Sequence, residues 1–116
     1  MHTLIMDDYH APGLNQWQRM HWRDRKREKK RCEMYLFAAR VHDLPKFTGR
    51  VRVYYTRCRR SGPPLDDDNM AASFKPIGDA LQAFEVIGND RDIDLVPVQV
   101  CNGTKQTVLG FEDISG

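Results

Sequence analysis

Apolar and polar positions change period along this chain, and each change marks an element. Over Arg50–Arg57, Val51, Val53 and Tyr55 fall on one side and Arg50, Arg52, Tyr54 and Thr56 on the other. That is the two-residue period of a strand with one buried and one basic face. Over Asn69–Phe84 the period lengthens. Met70, Phe74, Ile77, Leu81 and Phe84 follow spacings of four and three, a single apolar stripe on a helix. Asp68 or Asn69 is a plausible N-cap. Pro76 predicts a kink, or a break into two short helices, because it removes a backbone bond and clashes with the carbonyl of Ala72. A longer helix is predicted from about Arg19 to His42, free of Pro and Gly and closed by Pro45, with Cys32, Tyr35, Leu36 and Ala39 facing a core. Thr3–Met6 reads as a short strand and Asp7–Asn15, with Pro12 and Gly13, as a loop. Val96–Cys101 and Lys105–Phe111 read as strands joined in a hairpin through Asn102-Gly103, with Pro97 at an edge or a strand start. The order strand, helix, strand, helix, strand, strand predicts a small α/β (α+β) fold, a mixed sheet packed against two main helices.

Composition narrows the class. With 116 residues, 41% hydrophobic and 29% charged, the chain is expected to form one globular domain over residues 1–116. No apolar run approaches the roughly 20 residues of a membrane span. Met1–Ala11 carries Asp7 and Asp8 and no long apolar core, so it is not expected to be a signal peptide. Cys32, Cys58 and Cys101 are odd in number and form no CxxC pair. That pattern argues for a reducing, cytoplasmic setting and against a disulfide framework. His2, His10, His21 and His42 show no zinc-ligand spacing.

The net charge of +2 hides a division. Residues 19–60 hold 15 Lys/Arg against 4 acids, and residues 65–94 hold 8 acids against Lys75 and Arg91. Within the basic part, Arg19, Arg23, Arg25, Lys26, Arg27, Lys29, Lys30 and Arg31 fall in one short run beside Trp17, His21 and Trp22. Such a run reads either as a solvated helix face or disordered arm, or as a nucleic-acid surface. In the second case flat side chains stack on bases and cations neutralise phosphates. A second basic piece carries Arg50, Arg52, Arg57, Arg59 and Arg60 without an acid among them.

The acids carry the chemistry. At about 100° per residue, Lys75 and Asp79 fall within about 20° of Asp68, opposite the apolar stripe. One or two of Asp66, Asp67 and Asp68 suit a helix start, where the dipole favours negative charge. Three adjacent carboxylates repel one another unless a cation sits there. Asp90, Asp92 and Asp94 form a second group at the helix exit, and they read equally as turn formers. Together the two groups suit a hard divalent ion with oxygen ligands, Mg²⁺ with Mn²⁺ as substitute. Beside a polyanion-binding surface such an ion points to phosphodiester hydrolysis, with Lys75 orienting water or stabilising the pentavalent phosphorane.

At these residues the chain resembles the RusA-type Holliday junction resolvases, small dimeric Mg²⁺-dependent endodeoxyribonucleases. Asp66-Asp67-Asp68-Asn69 looks like the family's Asp-x-Asp-Asn, Lys75 matches its lysine, and Asp79-Ala80-Leu81 its Asp-Ala-Leu. Gly88-Asn89-Asp90 looks like its last element, with Asn89 where an acid is usual, and Ala11–Asn15 is similar to its N-terminal Pro-Pro-Ser-x-Asn. The gap from Asn69 to Lys75 is longer than in the family's best-known form. The resemblance implies a RusA-like fold and a homodimer that cuts branched DNA on two symmetric strands in recombination and repair. It also implies that Asp66, Asp68 and Asp90 hold metal and that Lys75 is catalytic, with Asn69 and Asp79 in support and Asp92 as the alternative to Asp90. Arg57, Arg59, Arg60 and the basic run would clamp phosphates. A non-catalytic nucleic-acid-binding module, its acids serving as caps and turns, is the rival reading. A phosphatase or nucleotidyl-transfer enzyme is weaker, because no Gly-rich phosphate loop accompanies the acids.

Overall fold

The computed structural model describes residues 1–115. Strand β1 is His2–Asp7. Helices α1 (Leu14–Arg19) and α2 (Trp22–Ala38) follow. After β2 (Val51–Arg59) come α3 (Asp67–Ser73) and α4 (Lys75–Ala83), then β3 (Ile93–Cys101) and β4 (Gln106–Asp113). The four strands form one mixed sheet in the order β1-β4-β2-β3. β2 is parallel to β3, and β4 is antiparallel to both β2 and β1. The fold is therefore α+β with a mixed sheet, as the sequence pattern predicts.

Alternation decides which face of the sheet is covered. Leu4 and Met6 of β1, Val51, Val53 and Tyr55 of β2, and Leu109 and Phe111 of β4 all point to one side and are buried. Against them pack Cys32 and Leu36 of α2 together with Met70, Phe74, Ile77 and Leu81 of α3 and α4. Tyr35 and Ala39 pack at the margin, so the apolar face expected of the long helix is the one it buries.

Four local features differ from the sequence expectations. The segment from Arg19 to His42 is not one helix. α1 ends at Arg19, and α2 starts after His21, which is extended (φ −64°, ψ 151°) and accepts the Arg23 N–H through Nδ1 at 3.2 Å. Pro45 does not close α2, since Arg40 at φ 67° already turns the chain out of the helix. The stripe of residues 69–84 takes the second of its two expected forms, a break into two short helices at Phe74, so Pro76 lies in the first turn of α4, where a missing N–H costs nothing. The N-cap of α3 is Asp66, not Asp68 or Asn69.

The fourth difference concerns β3 and β4. They are not a hairpin, because β2 lies between them and Asn102-Gly103 carries the chain across the end of β2. Asn102 N–H is held by the Arg59 carbonyl at 3.2 Å, and Gly103 at φ 78° makes the turn. The physical cause is the run Ile93-Asp94-Leu95-Val96. It extends β3 along the whole of β2 in parallel register, from Val51 opposite Ile93 to Arg59 opposite Cys101. Pro97 sits on this edge strand, as expected of a residue without a ladder donor.

Candidate active site and nucleic-acid surface

The β2–α3 connection sets the site. Leu65 is pinned to the edge strand, its N–H donating to Gln99 Oε1 at 2.9 Å and its carbonyl accepting from Gln99 Nε2 at 2.8 Å. Asp66 then stands extended (φ −66°, ψ 167°) and starts α3. Its Oδ1 accepts the Asn69 N–H at 2.8 Å and its Oδ2 accepts Asn69 Nδ2–H at 2.9 Å. These bonds hold the Asp66 carboxyl below the usual carboxylate range. Asn69 in turn accepts the Asn15 N–H through Oδ1 at 3.0 Å, which ties the start of α1 to α3. Asp67 and Asp68 are exposed in the first turn.

One turn further on, the helix lines a hollow of about 310 Å³ with Ala71, Ala72, Phe74, Lys75, Gly78 and Asp79. Asp90, from the short turn before β3, closes it together with Ile93 and Leu95. Lys75 Nζ is 3.2 Å from Asp79 Oδ1, and Lys29 Nζ of α2 is 4.0 Å from Asp79 Oδ2. Asp92 does not line the hollow, which leaves Asp90 as the second-group acid in it.

Lys75 and Asp79 also line a second hollow of about 360 Å³, with Trp17, Trp22, Arg25, Lys26 and Lys29. Trp22, Arg23, Lys26, Arg27 and Lys30 continue outward as a cationic groove. Not every cation of the run is free. Arg25 donates Nε to the Trp17 carbonyl at 3.1 Å and Nη2 to the Gln18 carbonyl at 3.3 Å, so it clamps the end of α1. Arg27 pairs with Asp24 at 3.6 Å. Arg31 pairs with the buried Glu28 at 3.2 Å and lies over the rings of Tyr9 and Tyr35. Arg23 stands 5.4 Å above Trp22. Arg19 is exposed on the last turn of α1.

Arg57, Arg59 and Arg60 do not join this surface. They line a separate hollow with His10 and Lys105. His10 and Lys105 lie far apart in the chain, and no motif or period in the sequence links them to the arginines.

The expected cluster of Asp66, Asp68 and Asp90 is not assembled. Among the described residues no three His, Cys, Asp or Glu side chains lie close enough to hold a metal ion. Asp66 has both oxygens engaged by Asn69, Asp68 lies one turn before Ala71 and Ala72, and Asp90 lies across the hollow from α3. The donor chemistry still fits Mg²⁺, which is commonly held by one or two carboxylates, with waters and substrate phosphate completing an octahedron. Asp68 and Asp90 are oxygen donors without an ion-pair partner among the described residues. No protein-family model matches the chain, and no curated protein matches it. Among the described residues no helix is long and apolar enough to cross a membrane.

Proposed function

We propose that the chain is a divalent-metal-dependent endonuclease acting on branched DNA, in the manner of the RusA-type resolvases it resembles. One observation carries this reading. Lys75 and Asp79 line both the hollow that holds Asp90 and the Trp17/Trp22 hollow with its cations. A DNA strand neutralised by Lys26, Lys29 and Lys30, with a base or sugar against Trp22, would therefore pass beside the acidic hollow.

In this reading Asp68 and Asp90 would hold Mg²⁺, which when bound polarises the phosphate and acidifies a water. Lys75 places a positive charge where the phosphorane gains negative charge. Asp79 holds Lys75 by an ion pair across one helical turn and keeps its ammonium at the mouth of both hollows. Asp66 and Asn69 position α3 rather than touch substrate. Two chains acting as a homodimer would present two such sites to the two strands of a four-way junction.

A second reading, a nucleic-acid-binding module without catalysis, is favoured by one specific observation, the use of both Asp66 oxygens as a helix cap. Incubation with a four-way junction and a matched linear duplex, in Mg²⁺ and in EDTA, separates the two. Nicking of the junction in Mg²⁺ alone supports the enzyme. Junction binding without cleavage in Mg²⁺ or Mn²⁺ supports the module.

A further inference from the structure

We propose that His10, Arg57, Arg59, Arg60 and Lys105 form a pocket for one phosphate group, either a backbone phosphate of a nucleic-acid strand or a free phosphate anion. The strand as source rests on the DNA reading above, whereas the pocket's chemistry does not.

Three separate segments converge here. Arg57 and Arg59 come from the end of β2, and Arg60 from the loop that follows. His10 comes from the β1–α1 connection, and Lys105 from the residue before β4. They enclose a hollow of about 220 Å³ with Ser61, Gly62 and Pro63, and no carboxylate lines it. The nearest acid in the ion-pair network is Asp8, 3.9 Å from Arg60 and itself exposed. Like charges drawn together across three segments repel, and an anion relieves that repulsion.

The donors are also unfilled. Arg57 Nε is buried and has no hydrogen-bond acceptor among the described residues. Buried donors are nearly always satisfied, so an orphan one needs an explanation. Arg59 spends Nε on the Gly62 carbonyl at 2.9 Å, which fixes the loop and leaves its terminal nitrogens available. His10 lies with Nε2 2.5 Å from the Cys58 carbonyl, so the ring is held at the wall of the pocket. A phosphate supplies several acceptor oxygens and negative charge, the chemistry that planar guanidinium donors match best.

The test uses the full ¹⁵N-labelled chain and follows the Arg57 Nε–H resonance during titration with sodium phosphate and, separately, with a four-way junction. In parallel, junction binding is measured by fluorescence anisotropy over a range of salt for the wild type, Arg57→Gln, Arg60→Ala and Lys105→Ala. For a strand phosphate, both titrations move the Arg57 signal. Each variant then lowers the salt slope by about 0.9 for each phosphate it no longer neutralises and weakens binding several-fold. For a free anion, phosphate moves the signal while the junction leaves both signal and slope unchanged. If Arg57→Gln does not fold, Arg60→Ala and Lys105→Ala, outside the strands, still report the slope. An Arg57 resonance that neither phosphate nor a demonstrably bound junction moves overturns the pocket. A wild type that binds no DNA at low salt overturns the DNA reading instead, and the phosphate titration then decides the pocket alone.

Discussion

Asp66 and Asn69 grip each other at two points, backbone N–H to Oδ1 at 2.8 Å and side-chain Nδ2–H to Oδ2 at 2.9 Å. The pair turns an acidic run into the start of α3. Through the other face of its amide, Asn69 also holds the Asn15 N–H. One amide thus joins the acidic segment to the helix that precedes the basic run. Substitutions here move the relation between the acidic and basic surfaces as well as local charge.

Asp66→Ala is expected to lower the urea midpoint, since the cap bond to the Asn69 N–H disappears, while Asp66→Asn retains most of it. Because the folded state holds this carboxyl below its usual range, its contribution is present above the ordinary carboxylate pKa. It is lost as pH falls through the folded value. The gap between wild type and Asp66→Ala, measured by urea unfolding, should therefore narrow from pH 7 to pH 3. An Asp66→Asn variant of unchanged midpoint that no longer cuts a junction would return Asp66 to the metal.

If the proposed function holds, cleavage should separate the acids by role. Asp68→Asn should abolish junction cleavage in Mg²⁺ and preserve binding. Lys75→Ala should slow the single-turnover rate by roughly 100-fold or more, the usual loss for one transition-state donor. Asp79→Asn should slow it less, because the Lys75 ammonium remains and only its tether is lost. Quantified junction nicking on gels checks all three. An Asp68→Asn chain that still cuts sinks the assignment of Asp68.

His10 gives the stability a pH slope. Burial lowers its pKa, Arg57 and Lys105 add to the lowering, and the Cys58 carbonyl and Asp8 oppose it. The folded state therefore prefers the neutral ring. Stability is full above the ordinary histidine pKa and falls as pH drops from there towards the lowered value. His10→Gln should flatten this part of the profile, read from urea midpoints between pH 7.5 and pH 5.5 at low phosphate. An equal slope in both chains would show that His10 contributes nothing.

Adjacent positions on α2 should behave oppositely. Leu36 is fully buried between helix and sheet, and Leu36→Ala should cost about 2–5 kcal/mol by transfer and cavity formation. Phe37 is 64% exposed, and Phe37→Ala should stay within about 0.5 kcal/mol. Denaturant unfolding of the two variants decides it. A large loss at Phe37 would reveal a covered surface there.

Short-range periodicity by itself determined the α+β class, the buried faces of β2 and α2, and the apolar stripe of α3 and α4. Those properties depend on neighbours a few residues apart, and the chain carries that information locally. Chemistry of residue type also marked Lys75, Asp79 and Asp90, which the fold brings to one hollow. Tertiary structure alone decided the rest. The parallel pairing of β2 with β3 put β2 where a hairpin was expected, because strand neighbours are settled by long-range pairing, here along the whole of β2, which a turn dipeptide does not encode. The use of Asp66 as a cap was set by the extended approach from Leu65, held by Gln99 of a distant strand. The meeting of His10 and Lys105 with Arg57, Arg59 and Arg60 was set by the strand order, which brings segments remote in sequence to the same end of the sheet.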